Sequence, residues 1–110
     1  MILFSHLEGD RVLSTIVSLV QGVLRRTDIF ARWGGDEFAI LLPNTGKRQA
    51  YELAERIREL ITGHHLETAE PLSCSFGLEE LCKGDSRNSF LSRVDMRLYQ
   101  AKKSGKNTVK

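Results

Sequence analysis

The chain has 110 residues, a net charge of +2, 41% hydrophobic and 27% charged residues. That length admits one domain with one core, and so small a charge gives no argument for electrostatic capture of nucleic acid or a membrane surface. No apolar run reaches the length of a membrane span and no secretory leader is visible, while Cys74 and Cys82 fit neither a redox CxxC nor a zinc pattern, so free thiols in a cytoplasmic setting are expected.

Residues 1–4 are apolar and β-compatible. Gly9 and Asp10 open a helix whose Val12, Leu13, Ile16, Val17, Val20, Val23 and Leu24 recur at helical spacing, with Gly22 interrupting it. Residues 28–43 read as a hairpin: β-forming runs flank Gly34-Gly35, which suits a tight turn with positive φ. Asp36 and Glu37 then sit at its tip. Adjacent carboxylates beside bare backbone can hold a hard cation near a phosphate, or can be ordinary solvated turn residues. Trp33 reads as core packing. Thr45 is placed to cap a helix over residues 47–61, with Ala50, Leu53, Ala54, Ile57, Leu60 and Ile61 inward and Gly63 ending it. His64-His65 read as helix-end residues, not metal ligands. A strand follows over residues 72–78, with Cys74 as a small core residue, then a helix over 90–104 burying Leu91, Val94, Leu98 and Ala101 and ending at Gly105. Thr108-Val109 begin a last strand. The order α-β-β-α-β-α-β predicts an α+β class, helices covering one face of an antiparallel sheet.

Gly34-Gly35-Asp36-Glu37-Phe38 resembles the signature of the GGDEF, or diguanylate cyclase, family. Other segments agree in order. His6-Leu7-Glu8-Gly9-Asp10 with Val12-Leu13 resembles G-H-x-x-G-D-x-x-L, and Arg25-Arg26-Thr27-Asp28 resembles R-x-x-D. Leu72 to Gly77 resembles V-T-V-S-x-G, and Asp95 to Asn107 resembles A-D-x-A-L-Y-x-A-K-x-x-G-R-N. The resemblance implies a ferredoxin-like palm of the nucleotidyl cyclases over residues 1–110. It departs from the family at the start. The family's D-x-D-x-F-K-x-x-N-D segment, with a metal-binding Asp and a guanine-reading Asn, has no counterpart here. The expectation is therefore a GGDEF domain lacking its first central strand and the start of its first helix. An open central slot would leave unpaired backbone groups and no stable compact monomer, unless Met1 to Phe4 or a second copy's strand fills it.

The resemblance also implies chemistry. Two GTP molecules would condense to cyclic di-GMP across a homodimer, with Mg²⁺ or Mn²⁺ as cofactor. Asp36 would be a metal ligand and Glu37 the catalytic acid near the ribose 3′-hydroxyl. Gly34 and Gly35 would admit the nucleotide, Asp10 would read guanine, and Lys102 and Lys106 would contact phosphates. Lys106 replaces a common Arg, which loses the bidentate fork. Arg25, Asp28 and Arg56 would form the inhibitory cyclic di-GMP site. Without the family, Asp10 is a first-turn helix acid, the lysines are surface cations, and Arg25–Asp28 is a local ion pair. An upstream sensory domain is expected in the parent, which can be membrane-anchored. The missing Asp and Asn imply that the chain itself turns over little GTP. Beside the enzyme stand two other readings, a cyclic di-GMP-binding module and a structural or dimerising fragment.

Overall fold

The computed structural model describes residues 1–6, 10–68 and 74–110. Its elements are β1 (Ile2–His6), α1 (Asp10–Gln21), β2 (Ile29–Gly34), β3 (Glu37–Leu41), α2 (Lys47–Thr68), β4 (Cys74–Leu78), α3 (Arg87–Lys103) and β5 (Thr108–Val109). They build a five-stranded sheet in the order β2-β3-β1-β4-β5. All pairings are antiparallel except β4–β5.

The α+β class holds, and the central slot is filled by one of the two occupants expected for it. The chain's own residues Ile2–His6 form the central strand, between β3 and β4. A single copy therefore closes the sheet without a strand from a second copy. Its radius of gyration, 13.4 Å, is that of a compact domain. Phenylalanine sets the register. Phe4 pairs directly with Phe38 on one side and Phe76 on the other. The ring centroids lie 5.2 and 5.1 Å apart, and Phe30 extends the row at 5.5 Å from Phe38. Such pairs contribute about 0.5–1.5 kcal/mol each beyond area burial. A one-residue slip would turn Phe4 to the other face, so the register is strongly specified.

Helices cover both faces, not one. Ile2, Phe4, Phe38, Ile40, Phe76 and Leu78 pack with Ile16 and Val20 of α1 and Ala54, Ile57 and Ile61 of α2. On the other face Met1, Leu3 and Ala39 pack with Val94 and Leu98 of α3. Gly77 lets α3 approach, since a Cβ there would fall inside the backbone of Arg97 and Leu98. Among the described elements only α3 lies on this face, over β1, β4 and β5. The outer hairpin stays bare there, and Ile29, Trp33 and Leu41 are exposed. Trp33 is thus not core packing.

Three helix boundaries also differ, the first being the end of α1, which stops at Gln21 before Val23 and Leu24. α2 runs through Gly63 and both histidines to Thr68, because burial of Ile57 and Ile61 holds the helix past a residue of low propensity. Leu60, expected inward, is 37% exposed. α3 starts earlier, at Arg87, where Ser86 and Ser89 form a capping box. Residues 72–73 of the expected strand lie outside the described residues.

Candidate nucleotide site

The signature forms the expected hairpin with its turn one residue further on. Gly34 and Glu37 pair, so Gly35 and Asp36 are the turn centre. Gly35 has φ +39°, a left-handed conformation that glycine adopts without strain. The pairing shifts between Arg32 and Gly34, which places Trp33 in a bulge. Arg32 braces the turn, its Nε and Nη2 donating to the Gly35 carbonyl at 3.1 and 2.9 Å. A Cβ built on Gly34 or Gly35 meets nothing within 4 Å, so a ligand can approach this backbone.

Three elements meet at this end of the sheet. Ser5 stands opposite Glu37 and His6 opposite Cys74, so β1 ends where β3 and β4 begin. α1 starts just beyond, at Asp10, whose side chain lies outside the described residues. α3 ends here too. After it Lys106 N–H donates to the Ala101 carbonyl at 3.2 Å, and Asn107 N–H bonds the Cys74 carbonyl. Gly105, Lys106 and Asn107 take φ of 95°, 65° and 44°. Lys106 is the one of these three without glycine's freedom or asparagine's tolerance of this region, so its backbone is strained. Lys102 and Lys106 are exposed at the same end of the sheet as the signature turn, on the β4–β5 side. The expected substrate lysines, turn glycines and acids are thus brought to one sheet end.

A polar row crosses that end. Glu37, Ser5, Ser75 and Thr108 are in register on four adjacent strands. Strand alternation puts all four on the α3 face, since Phe38, Phe4, Phe76 and Val109 face the other core. Ser5 is 5% and Ser75 1% exposed. Neither hydroxyl makes a hydrogen bond among the described residues. The donor set does not fit a resident divalent cation. Asp36 and Glu37 are consecutive at a turn-to-strand junction, where successive side chains diverge. Among the described residues no three His, Cys, Asp or Glu side chains gather. Ser5 was missed by motif reading because its signal is a register, which only pairing reveals.

The expected inhibitory site is partly assembled. Arg25 Nη2 lies 2.9 Å from Asp28 Oδ1, and Arg25 N–H donates to Oδ2 at 2.8 Å. The same Nη2 reaches the Pro43 carbonyl at 3.1 Å and Thr45 Oγ1 at 2.6 Å. Thr45 is thereby held by the Arg25 corner. The first bond along α2 runs from Ala50 N–H to the Gly46 carbonyl. The Asp28 side chain is 2% exposed and that of Arg25 55%. With Val23, Leu42, Gln49 and Leu53 they line a cavity of about 280 Å³. Arg56 is exposed on the stripe that carries Gln49 and Leu53, one turn further along α2.

Glu79 is a structural charge centre that sequence reading missed. Its carboxylate takes Lys47 Nζ and Arg93 Nη1 at 2.7 Å and Arg97 Nε at 3.3 Å. Burial pushes its pKa up, but the Lys47 hydrogen bond and the three cations outweigh burial and leave it lowered. Arg93 also pairs with Asp85. The cluster ties α2, β4 and α3 together. An acid ending an apolar strand, with Arg93 and Arg97 four apart, was its sequence signal.

The sequence profile described as "Diguanylate cyclase, GGDEF domain" matches residues 3–108. Diguanylate cyclase DgcP of Pseudomonas aeruginosa is 38% identical over 108 residues, 94% of this chain and 16% of that protein. Diguanylate cyclase DgcM of Escherichia coli is 35% identical over 107 residues, 97% of this chain and 26% of that protein. The chain thus spans a minor part of these relatives. The active GGEEF domain of a diguanylate cyclase from Vibrio cholerae superimposes with a TM-score of 0.88 at 31% identity, over 98% of this chain and 78% of that one. The GGDEF domain of DgcB from Caulobacter crescentus, in complex with c-di-GMP, gives 0.87 at 25% identity, over 98% and 72%.

Proposed function

The chain belongs to the diguanylate cyclase GGDEF family, and from that premise we propose that it is the nucleotide-binding core of a protein that condenses two GTP into cyclic di-GMP. One observation carries this reading: the signature turn, the start of α1 and the lysines that end α3 meet at one end of the sheet. Lys102 and Lys106 neutralise the β- and γ-phosphates. The bare Gly34-Gly35 backbone lets the phosphates close in, and Asp10 accepts from the guanine edge. Each ribose 3′-oxygen bonds the α-phosphorus of the other GTP, and the bond to the β-phosphate oxygen breaks, releasing pyrophosphate. Glu37 takes the 3′-proton. One chain holds one GTP, so two copies face each other for the reaction. A divalent cation, when present with the nucleotide, supplies charge neutralisation at the phosphates.

The chain by itself turns over little GTP, because β1 carries no acid beside the signature and guanine recognition has one partner fewer. The cavity at Arg25 and Asp28 favours a second role, binding of cyclic di-GMP as an inhibitory or receptor ligand. Incubation with GTP and Mg²⁺ or Mn²⁺, followed by detection of cyclic di-GMP, tests the first point; turnover of about 1 s⁻¹ or more, the ordinary enzyme range, would sink it. Calorimetry with GTP and with cyclic di-GMP tests the sites, and absence of both affinities would overturn the nucleotide reading.

A further inference from the structure

We propose that Ser5 is the residue that decides whether this sheet end holds a divalent cation, and that as serine it withholds one. The inference needs the register and the donor set, and rests on the nucleotide reading only for its meaning in the reaction. Ser5 is the cross-strand neighbour of Glu37. Directly opposed side chains on one face have Cβ atoms about 5 Å apart, so a carboxylate at position 5 would face Glu37 across a gap that one cation can bridge. Asp36, next in the chain, adds negative charge at the same tip, although its side chain diverges from that of Glu37. With serine there, the cross-strand partner offers a neutral hydroxyl. A hard cation that dehydrates reluctantly gains little from it. The Phe38-Phe4-Phe76 row makes this placement obligatory, because the register that stacks those rings also sets Ser5 against Glu37.

Ser75 is the internal control. It stands in the same row, buried like Ser5, but two strands from Glu37, about 10 Å away. A carboxylate there adds the same charge without reaching Glu37.

The test uses the whole chain and Mn²⁺ alone, read by the loss of the free-ion electron paramagnetic resonance signal. The unaltered chain is expected to bind with a Kd above about 1 mM, weak even against the span over which ligand charge tunes cation sites. Ser5→Asp is expected to tighten binding at least about tenfold, and Ser75→Asp to leave it unchanged. A second readout covers the fold. Two facing acids repel and lose hydration, so Ser5→Asp should melt lower than the unaltered chain without metal and recover with Mn²⁺. The unaltered chain should show no such recovery. Micromolar Mn²⁺ binding by the unaltered chain, abolished in Asp36→Asn, overturns the inference whether or not Ser5→Asp folds. So does a folded Ser5→Asp chain without gain, or an equal gain in Ser75→Asp. These outcomes are separate from the nucleotide reading. A chain that binds cyclic di-GMP and also holds Mn²⁺ tightly refutes only the role of Ser5, and a chain that binds no nucleotide while Ser5→Asp gains Mn²⁺ refutes only the nucleotide reading.

Discussion

Arg25→Ala separates ligand recognition from architecture at the Arg25–Asp28 cavity. The guanidinium spends Nε and Nη2 on Asp28, the Pro43 carbonyl and Thr45. Nη1 makes none of these bonds, so it offers one charged edge to a phosphate or guanine, not a free fork. One charge-assisted hydrogen bond contributes about 1.5 kcal/mol at the low end of its range, and about 1.4 kcal/mol is a factor of ten. Cyclic di-GMP affinity is therefore expected to fall about tenfold in Arg25→Ala. The substitution also removes part of the shell around a buried Asp28 carboxylate. Because Arg25 is more than half exposed, solvent screening limits the loss of stability to about 1 kcal/mol. Calorimetric titration of both variants at a temperature where each is folded measures the first quantity, and urea unfolding the second. An unchanged affinity alongside a measurable loss of stability would refute the ligand role and leave an ion pair that pins the α1–β2 corner to the β3–α2 turn.

Gly77→Ala should destabilise by about 3 kcal/mol or more, above the usual 1–3 for overpacking, since the new methyl meets helix backbone that cannot rotate away; a midpoint in urea near that of the unaltered chain would contradict the close approach of α3. The folded pKa of Glu79 is lowered from its ordinary 4.5, so the stability it contributes is present above that value and drains away as pH falls below it. Glu79→Gln should flatten that acid limb of the stability–pH curve, and an unaltered limb would place the dependence elsewhere. Burial pushes the Cys74 thiol up to about 12 while Cys82 is exposed, so one thiol should react with a disulfide reagent in the native chain and the second only in denaturant; two native thiols reacting at equal rates would show that β4 is not enclosed. Lys106→Gly should stabilise by about 0.5–1 kcal/mol by relieving a left-handed φ, and weaken GTP binding, as thermal unfolding and calorimetry together would show.

The sequence by itself determined the family, the α1-to-β5 element order and the residues gathered at the signature end, because those are written in short motifs and in local periodicity. A spacing of three and four marks a helix wherever it packs, and Gly34-Gly35-Asp36-Glu37 marks a turn whatever surrounds it. It also named Met1 to Phe4 as one occupant of the central slot without choosing among the alternatives. Tertiary structure made that choice. Four apolar residues carry no partner information alone, and the Phe38-Phe4-Phe76 row supplies it by packing rings from three strands. The same is true of the face on which α3 lies, of the exposure of Trp33 and of the continuation of α2 through Gly63. Each depends on what another element covers, which periodicity cannot encode. Ser5 shows the difference most sharply: an ordinary serine in the chain, it stands beside Glu37 only because pairing two residues that lie far apart in sequence puts it there.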